Sequence, residues 1–252
     1  MNTRSSLMTI AVLCSLIPVI WLLHDTSADI LATPPDDPVI EGLSKLAVAS
    51  ISDAVDEITG QRGFMMPDLR PILSDKKIIG RAVTVRLREA MEVLEDRSAV
   101  SHTVQVIDQA DPGSIIVVVV ENGAHIAGFG GLMANTSVAR GLGGAVIDGG
   151  ARDIQEMQDL GFQVYTRGIT PASSVGRWLS VASNEPILCA NVWVRNGDII
   201  VGDYDGVVCV PAEIAQKVLE TARKYEEKER QMVPLIHKYK SLQKALEAYG
   251  RI

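Results

Sequence analysis

The chain is poor in the residues that build several common kinds of catalytic site. Its 252 residues include only three cysteines and four histidines. No HExxH zinc motif, GxSxG nucleophile turn or P-loop occurs in the sequence. The sequence therefore offers no support for a zinc hydrolase, a serine hydrolase of the α/β class or a P-loop nucleotide-binding protein.

Aromatic and basic residues are also scarce. Aromatics make up 4% of the chain, and 24 Lys and Arg face 31 Asp and Glu, giving a formal net charge of −7. Nucleic-acid-binding proteins usually carry a basic stripe, often interleaved with aromatic side chains. No such stripe is visible, so we expect no nucleic-acid partner. A hydrophobic fraction of 47% is enough for one globular domain with a full core.

The first 28 residues have the order of an export signal. A positive start at Met1–Arg4 precedes an apolar run from Leu7 to Leu23, and Thr26–Ala28 offers a small-residue cleavage site. An uncleaved membrane anchor is the alternative, because the run is near the lower limit of about 17 residues for crossing a bilayer. We predict a signal peptide at 1–28, a linker at 29–37 and one domain at 38–252, exported to the periplasm or the extracellular space. Two cysteines then remain, Cys189 and Cys209, and their apolar surroundings predict buried, unpaired thiols.

Two consecutive strand–loop–helix units carry the candidate site. A β-branched run from Ser114 to Val120 and the shorter run Ala145–Ile147 are typical of strands buried on both faces of a parallel sheet. A helix is predicted after each loop, at Leu132–Arg140 and from Asp153 onward, where Asp153 and Glu156 have the spacing of a capping box. Right-handed crossovers would bring both loops to one edge of the sheet, where α/β proteins bind ligands.

At that edge, free backbone N–H groups of Gly131, Leu132 and Met133 are expected to face Arg152 and Asp153 across a crevice. This combination suits a small anion together with a divalent cation. Taken alone, Asp153 is equally accounted for as a helix cap, and Arg152 as half of a surface ion pair. Asp148-Gly149-Gly150 predicts a tight turn after the second strand, and Asp148 either orients Arg152 or favours that turn.

The same residues resemble the signature of the RraA-like family, named after the regulator of ribonuclease activity A. That family includes the class II 4-hydroxy-4-methyl-2-oxoglutarate/4-carboxy-4-hydroxy-2-oxoadipate aldolases. The resemblance covers roughly Pro38 to Ile252. It is carried by Phe129-Gly-Gly-Leu-Met133 and Asp148-Gly-Gly-Ala-Arg-Asp153, with further matches at Ile51–Ala54, Gly80–Val85, Arg167–Pro171, Gly197–Pro211 and Ala248–Arg251.

The resemblance implies an α/β fold, a three-layer β/β/α swivelling domain that assembles as a homotrimer or a hexamer. It implies that Asp153 ligates Mg²⁺ or Mn²⁺, partly through water. Arg152 and the backbone of residues Gly130, Gly131, Leu132 and Met133 would hold the carboxylate and keto oxygens of a 2-oxo acid. Aldolases of the family tend to carry an acidic residue where this chain has Gly131, which puts aldol cleavage more in question than metal and pyruvate-type binding. A second family acid comes from the neighbouring subunit; Glu226, Glu227 and Glu229 are candidates, although a charged helix face also explains them.

These expectations combine into a divalent-metal-dependent lyase acting on 2-oxo acids. The reaction would be aldol cleavage of the 4-hydroxy-4-methyl-2-oxoglutarate type, oxaloacetate decarboxylation, or both, giving pyruvate. The alternative is a non-catalytic member of the family that binds a ligand or a protein, since the family's namesake inhibits a cytoplasmic ribonuclease. The predicted leader and the intact Arg152–Asp153 pair favour the enzyme.

Overall fold

The computed structural model describes residues 37–91 and 100–250. The predicted signal peptide and all but the last residue of the predicted linker lie outside these ranges. The helices of the described part are α1 (Pro38–Ser44), α2 (Val48–Thr59), α3 (Ser101–Gln109), α4 (Gly131–Ala139), α5 (Ile154–Asp159), α6 (Ala215–Tyr239) and α7 (Leu242–Tyr249). The strands are β1 (Arg70–Pro71), β2 (Ile78–Glu89), β3 (Ile115–Val120), β4 (Ala127–Phe129), β5 (Gly144–Ala151), β6 (Val164–Ile169), β7 (Trp178–Ser183), β8 (Ile187–Cys189), β9 (Val192–Val194), β10 (Ile199–Gly202) and β11 (Val207–Val210).

Nine strands of the described ranges form one mixed sheet. Its order is β1-β6-β5-β3-β2-β10-β11, with β4 added beside β5 and β7 beside β2. Strands β2, β3, β5 and β6 are parallel neighbours, whereas β1, β7, β10 and β11 pair antiparallel. The β-branched strand β3 is buried along its whole length, as its composition predicted. The parallel centre therefore carries the two predicted strand–loop–helix units.

The two faces of the sheet are covered differently, which gives the three layers. On one face, Ile116 and Val118 of β3 pack beneath α3, α4 and α5, together with Phe129 and Met157. On the other face, Val117 and the neighbouring strands enclose the small β8–β9 hairpin. This confirms the α/β fold class that the resemblance implied: a helical layer, a curled sheet and a second, smaller β layer.

Helices α1, α2 and α6 cover the end of the sheet formed by β10 and β11. Apolar residues recur at helical spacing from Leu43 to Ile58 and predict one amphipathic helix, but the structure divides this stretch between α1 and α2. The sequence from Ala212 to about Met232 predicts a charged amphipathic helix that breaks before Pro234, but α6 continues through that proline to Tyr239. Its apolar positions, including Val218, pack inward in the core shared with α1 and α2.

The residues Asn196-Gly-Asp198 predict a hairpin turn between the strands on either side, but in the structure this turn joins two different sheets. The buried Asp198 side chain accepts hydrogen bonds from the backbone N–H groups of Arg195 (2.8 Å) and Ala212 (3.0 Å), so it anchors the chain where β9 passes to β10. The β8–β9 hairpin turns at Ala190–Asn191, where both residues have positive φ. Asparagine adopts a positive φ fairly often, whereas alanine rarely does, so the sequence does not predict a turn at these two residues.

Cys189 and Cys209 are buried and unpaired, which confirms the prediction for both thiols. Across residues 37–91 and 100–250, none of the helices is long and apolar enough to cross a membrane.

Candidate functional site

The two predicted loops meet at the carboxyl edge of the parallel strands. Strand β4 ends at Phe129 and leads through Gly130 into α4, while β5 ends at Ala151 and leads through Arg152 and Asp153 into α5. Because β4 and β5 are parallel neighbours, both turns emerge side by side, and the N–H of Arg152 donates to the carbonyl of Phe129 (3.1 Å). The sequence had predicted this juxtaposition, and the structure contains it.

Asp153 uses its carboxylate to join the two turns. Its Oδ2 accepts a hydrogen bond from the N–H of Gly131 (2.9 Å) and lies 3.5 Å from Nε of Arg152. The predicted capping box is wrong, because Asp153 makes no side-chain hydrogen bond to its own helix α5. A capping side chain needs an extended backbone at the cap, whereas Asp153 has a left-handed backbone with φ of 61°. That conformation aims its carboxylate at the neighbouring helix.

Glu156, the other half of the predicted capping box, also reaches across to α4. Its Oε1 accepts a hydrogen bond from Nδ2 of Asn135 (2.7 Å). Its Oε2 lies 2.0 Å from the position that a Cβ atom on Gly131 would occupy. Glycine at 131 therefore leaves the space that the Glu156 carboxylate fills, and sequence spacing alone gave no signal of this contact.

A cleft of about 240 Å³ opens beside these turns. Arg152 and Asp153 line it with about half of their side chains exposed, 43% and 45% respectively. The rest of its wall is formed by Val100, Val104, Ala127, Gly128, Phe129, Gly130, Gly131, Leu132, Met133, Ser173, Ser174 and Val175. The valines of the α3 segment and the two serines were not among the predicted site residues, because they come from distant parts of the chain.

The predicted backbone cradle is smaller than expected. The N–H of Gly131 already donates to Asp153 and is not free for a ligand. Leu132 and Met133 follow in the first turn of α4, where N–H groups lack partners within the helix, and Gly130 at the cap position has no side chain to bind them. The N–H groups of this turn that remain for a ligand are therefore those of Leu132 and Met133.

The residues at the cleft fit a water-rich site for a hard cation. Among the described residues, no cluster of three or more His, Cys, Asp or Glu side chains is arranged to hold a metal ion. Mg²⁺ commonly takes one or two carboxylates and completes its octahedron with waters and substrate oxygens. Asp153, which is half-exposed at the cleft, is a donor of that kind.

Asp148 serves neither of its two predicted roles. It forms an ion pair with Arg167 and accepts a hydrogen bond from the N–H of Ala190 (2.5 Å). Ala190 belongs to the turn of the β8–β9 hairpin, so Asp148 lies on the face of the sheet opposite α4 and α5. It stabilises the second β layer and does not contact Arg152.

The loop histidine His125 and the candidate acids Glu226 and Glu227 are not among the residues that line the cleft. His125 is exposed and packs its ring edge-on against Trp178, with 5.8 Å between ring centroids. Glu226 accepts the N–H of Ala47 (2.5 Å), which ties α6 to the start of α2. Glu227 pairs along its own helix with Arg230 and Gln231. Within this chain, the structure therefore assigns Glu226 and Glu227 to contacts on and around α6.

Comparison with known proteins relates the chain to a described family. A family model described as RraA-like, Aldolase/RraA, matches residues 48–209. A protein of Halalkalibacterium halodurans named "Putative 4-hydroxy-4-methyl-2-oxoglutarate aldolase" is 32% identical over 174 residues, covering 69% of this chain and 77% of that protein.

Two solved structures share the fold over most of the chain. An uncharacterized protein from Pseudomonas syringae pv. tomato is 30% identical, with a TM-score of 0.76, covering 88% of this chain and 99% of that one. Streptomyces coelicolor RraAS2, described as an unusual member of the RNase ES inhibitor RraA protein family, is 25% identical, with a TM-score of 0.70, covering 79% and 96%. Since the matched residues 48–209 make up well over half of the 252, the chain belongs to the RraA-like family.

Proposed function

We propose that this protein is a divalent-metal-dependent lyase that cleaves a carbon–carbon bond in small 2-oxo acids and releases pyruvate. The observation that carries the proposal is the meeting of Arg152, Asp153 and the first turn of α4 at one small cleft. The name of the Halalkalibacterium relative points to the same class of reaction.

Arg152 is the residue suited to recognise the substrate. A guanidinium is planar, stays charged at all relevant pH values and can fork onto the carboxylate and keto oxygens of a 2-oxo acid. Leu132 and Met133 line the same cleft from the first turn of α4, and the N-terminus of that helix would add a positive dipole end for an anion. Together they would stabilise the negative charge that develops on the keto oxygen as the carbon–carbon bond breaks.

Asp153 is the residue that would hold a divalent cation. When bound, Mg²⁺ or Mn²⁺ would polarise the substrate's keto oxygen as a Lewis acid. The hydrogen bond from Gly131 fixes one oxygen of the carboxylate, so the side chain enters the reaction already oriented. No acidic side chain is present at position 131, and decarboxylation, which needs no base at a C4 hydroxyl, therefore makes the smaller demand on this site.

The proposal is tested by turnover with purified protein. Oxaloacetate and 4-hydroxy-4-methyl-2-oxoglutarate are supplied separately with Mg²⁺ or Mn²⁺, and pyruvate is measured with a coupled dehydrogenase. We expect pyruvate formation that EDTA abolishes and added metal restores, above the metal-catalysed background measured without protein. Turnover at background level for both substrates would contradict the proposal.

A non-catalytic binding role is the second candidate, supported by the likeness to RraAS2, whose description places it among ribonuclease inhibitors. That role makes no use of a cation or of the Arg152–Asp153 pair. Pull-down of a partner that is equally strong with wild-type protein and with an Arg152→Ala, Asp153→Asn double variant, combined with background turnover, would favour it.

A further inference from the structure

Among the described residues that line the cleft, no ionisable side chain is available to transfer a proton to or from the substrate. Among the described residues that line it, only Arg152 and Asp153 ionise. Arginine stays protonated in proteins. The Asp153 carboxylate is occupied by the Gly131 N–H and Arg152, and it is the proposed ligand of the cation. A lyase that leaves an enolate needs a proton donor, and a positioned side chain typically accelerates such a proton transfer by about a hundredfold or more.

The carboxylate of Glu156 occupies the space next to residue 131, where glycine has no side chain. Its Oε2 lies 2.0 Å from where a Cβ on Gly131 would stand, and Cβ of Asp153 lies 3.3 Å from the same point. Asn135 fixes this arrangement, since its Nδ2 donates both to Glu156 Oε1 (2.7 Å) and to the carbonyl of Gly131 (2.9 Å). The Glu156 carboxylate is therefore held against the backbone of residue 131, which itself lines the cleft, and near Asp153.

We propose that Glu156 is the proton-transferring carboxylate of this site, delivered from α5 into the space that the glycine at 131 leaves open. The inference rests on the proposed lyase function. In aldol cleavage, Glu156 takes the proton of the C4 hydroxyl, directly or through a water, as the C3–C4 bond breaks. The bonding electrons remain on C3 as the enolate, C4 becomes a carbonyl, and the same proton returns to C3 to give pyruvate.

In decarboxylation the same carboxylate has a simpler task. The C3–C4 bond breaks with loss of CO₂, its electron pair stays on C3, and Glu156 relays one proton from solvent to C3. A carboxylate that only tied α4 to α5 would have no need of its charge, because glutamine accepts the same hydrogen bond from Asn135. This difference separates a catalytic role from a structural one.

The first test is Glu156→Gln, which keeps the shape and the Asn135 contact. We expect kcat for oxaloacetate to fall about a hundredfold, within the range of general acid–base catalysis, while KM changes less than about twofold. Mn²⁺ affinity, measured by electron paramagnetic resonance without substrate, should stay within about twofold of wild type. Asp159→Asn is the matched control, because Asp159 is an exposed acid of the same helix that bonds to Gln155, and it should keep wild-type kcat.

The second test moves the acid to the other helix. Glu156→Ala empties the space beside residue 131, and adding Gly131→Asp to that variant supplies a carboxylate from α4. We expect the double variant to recover at least about tenfold in kcat over Glu156→Ala alone, since an acid at either position reaches the same space.

Wild-type kcat in Glu156→Gln, a loss of Mn²⁺ affinity as large as the loss of kcat, or a double variant no better than Glu156→Ala would each overturn the assignment of Glu156 while leaving the lyase proposal in place. Absence of metal-dependent turnover in the wild-type protein would instead overturn the proposed function, and this inference with it.

Discussion

A single carboxylate does two things at the centre of this site. Asp153 binds the N–H of Gly131 across the crevice and lines the cleft with its exposed half. Its left-handed backbone, with φ of 61°, is uncommon for any residue other than glycine, asparagine and aspartate. The conformation is what separates Asp153 from an ordinary helix cap, and it makes asparagine the most informative replacement.

We predict that Asp153→Asn folds normally but loses metal-dependent turnover. Asparagine tolerates the left-handed backbone, and its amide oxygen can still accept the Gly131 N–H, whereas a neutral amide is a poor ligand for a hard cation. We expect kcat/KM to fall at least about a hundredfold, equivalent to roughly 3 kcal/mol, with the melting temperature nearly unchanged. A fully active Asp153→Asn with Mg²⁺ or Mn²⁺ would make Asp153 a purely structural residue.

Arg152 should affect binding and chemistry together. Its guanidinium would contact the substrate before the bond breaks and would contact the developing negative charge afterwards. Arg152→Ala is therefore expected to raise KM and lower kcat, with a combined loss of about a hundredfold or more in kcat/KM. Steady-state kinetics checks this, and Arg152→Lys should recover only part of the loss, because an ammonium cannot fork onto two oxygens. An increase in KM at constant kcat would mean that Arg152 contributes uniform binding only.

At the scale of the elements, one buried ion pair holds the second β layer. Asp148 of β5, with 16% of its side chain exposed, pairs with Arg167 of β6 and also accepts the N–H of Ala190 in the hairpin turn. Asp148→Ala removes both contacts and leaves a largely buried guanidinium and a backbone N–H without this partner. We expect the free energy of unfolding in urea to fall by about 3 kcal/mol.

Asp68 provides the matched control for that ion pair. It binds the same Arg167 at 2.7 Å, but from a side chain that is 52% exposed. Asp68→Ala should therefore cost less than about 1 kcal/mol, as exposed pairs usually do. Equal losses for Asp68→Ala and Asp148→Ala would show that burial is not what gives the Asp148 pair its strength.

The elements differ in how far the sequence could predict them. Strand β3 followed directly from its unbroken run of isoleucine and valine, and the glycine-rich turn at Gly130 was visible as a loop before a predicted helix. The tight turn expected at Asp148–Gly150 was wrong, because β5 continues through both glycines to Ala151. Pro234 predicts the end of a helix, yet α6 continues through it and packs across α1 and α2. Tertiary burial of an amphipathic face can outweigh a local propensity, which a window of sequence does not reveal.

The two charged residues of the candidate site could be predicted, but their contacts could not. Arg152 and Asp153 follow a buried strand, so their place at the sheet edge could be inferred from chain order alone. The partners of Asp153 and Glu156 lie on α4, more than twenty residues away in sequence, and nothing in the spacing of α5 indicates them. A local capping motif was the natural interpretation of Asp153 and Glu156, and it failed because both side chains serve a contact between helices.

At the scale of the whole molecule, assembly into a homotrimer or hexamer stays a prediction from the family resemblance. The apolar positions of α6 do not support it, because Val218 is fully buried within the chain and Tyr225 packs against the same core. Light scattering at micromolar concentration should give a mass of about three or six chains. A monomer would contradict the prediction, and the cleft would then have to function within a single chain.

Ionisable side chains buried against the sheet also determine how the stability of the whole molecule changes at alkaline pH. Burial raises the pKa of Tyr165, whose hydroxyl donates to the carbonyl of Asp203 (2.9 Å), and the Asp203 charge adds to the effect. Burial likewise raises the pKa of Cys189, with a contribution from Asp148, and of Cys209, with one from Asp198. All three groups are therefore neutral in the folded protein at pH values where the unfolded chain begins to ionise.

The sign of the effect follows from which state holds the protons. Above the ordinary values of 9.0 for the thiols and 10.0 for the phenol, the unfolded state releases protons that the folded state keeps, so stability is complete below those values and falls as pH rises through them. Each group lowers the free energy of unfolding by about 1.4 kcal/mol per pH unit beyond its ordinary value. Lys77 acts in the opposite direction. Burial lowers its pKa in the folded protein, so the unfolded chain holds the proton to higher pH, and the free energy of unfolding rises with pH up to the ordinary value of 10.5.

We therefore predict a steep loss of stability above about pH 10, measured by urea unfolding with a reducing agent present to keep the thiols free. Tyr165→Phe isolates one contribution: it should cost about 1 kcal/mol near neutral pH through the lost hydrogen bond, and flatten the alkaline slope by about 1.4 kcal/mol per pH unit. The two stability curves should thus approach each other, and then cross, as the pH rises. Parallel curves for the wild type and Tyr165→Phe above pH 10.0 would mean that the Tyr165 hydroxyl ionises as readily in the folded protein as in the unfolded chain.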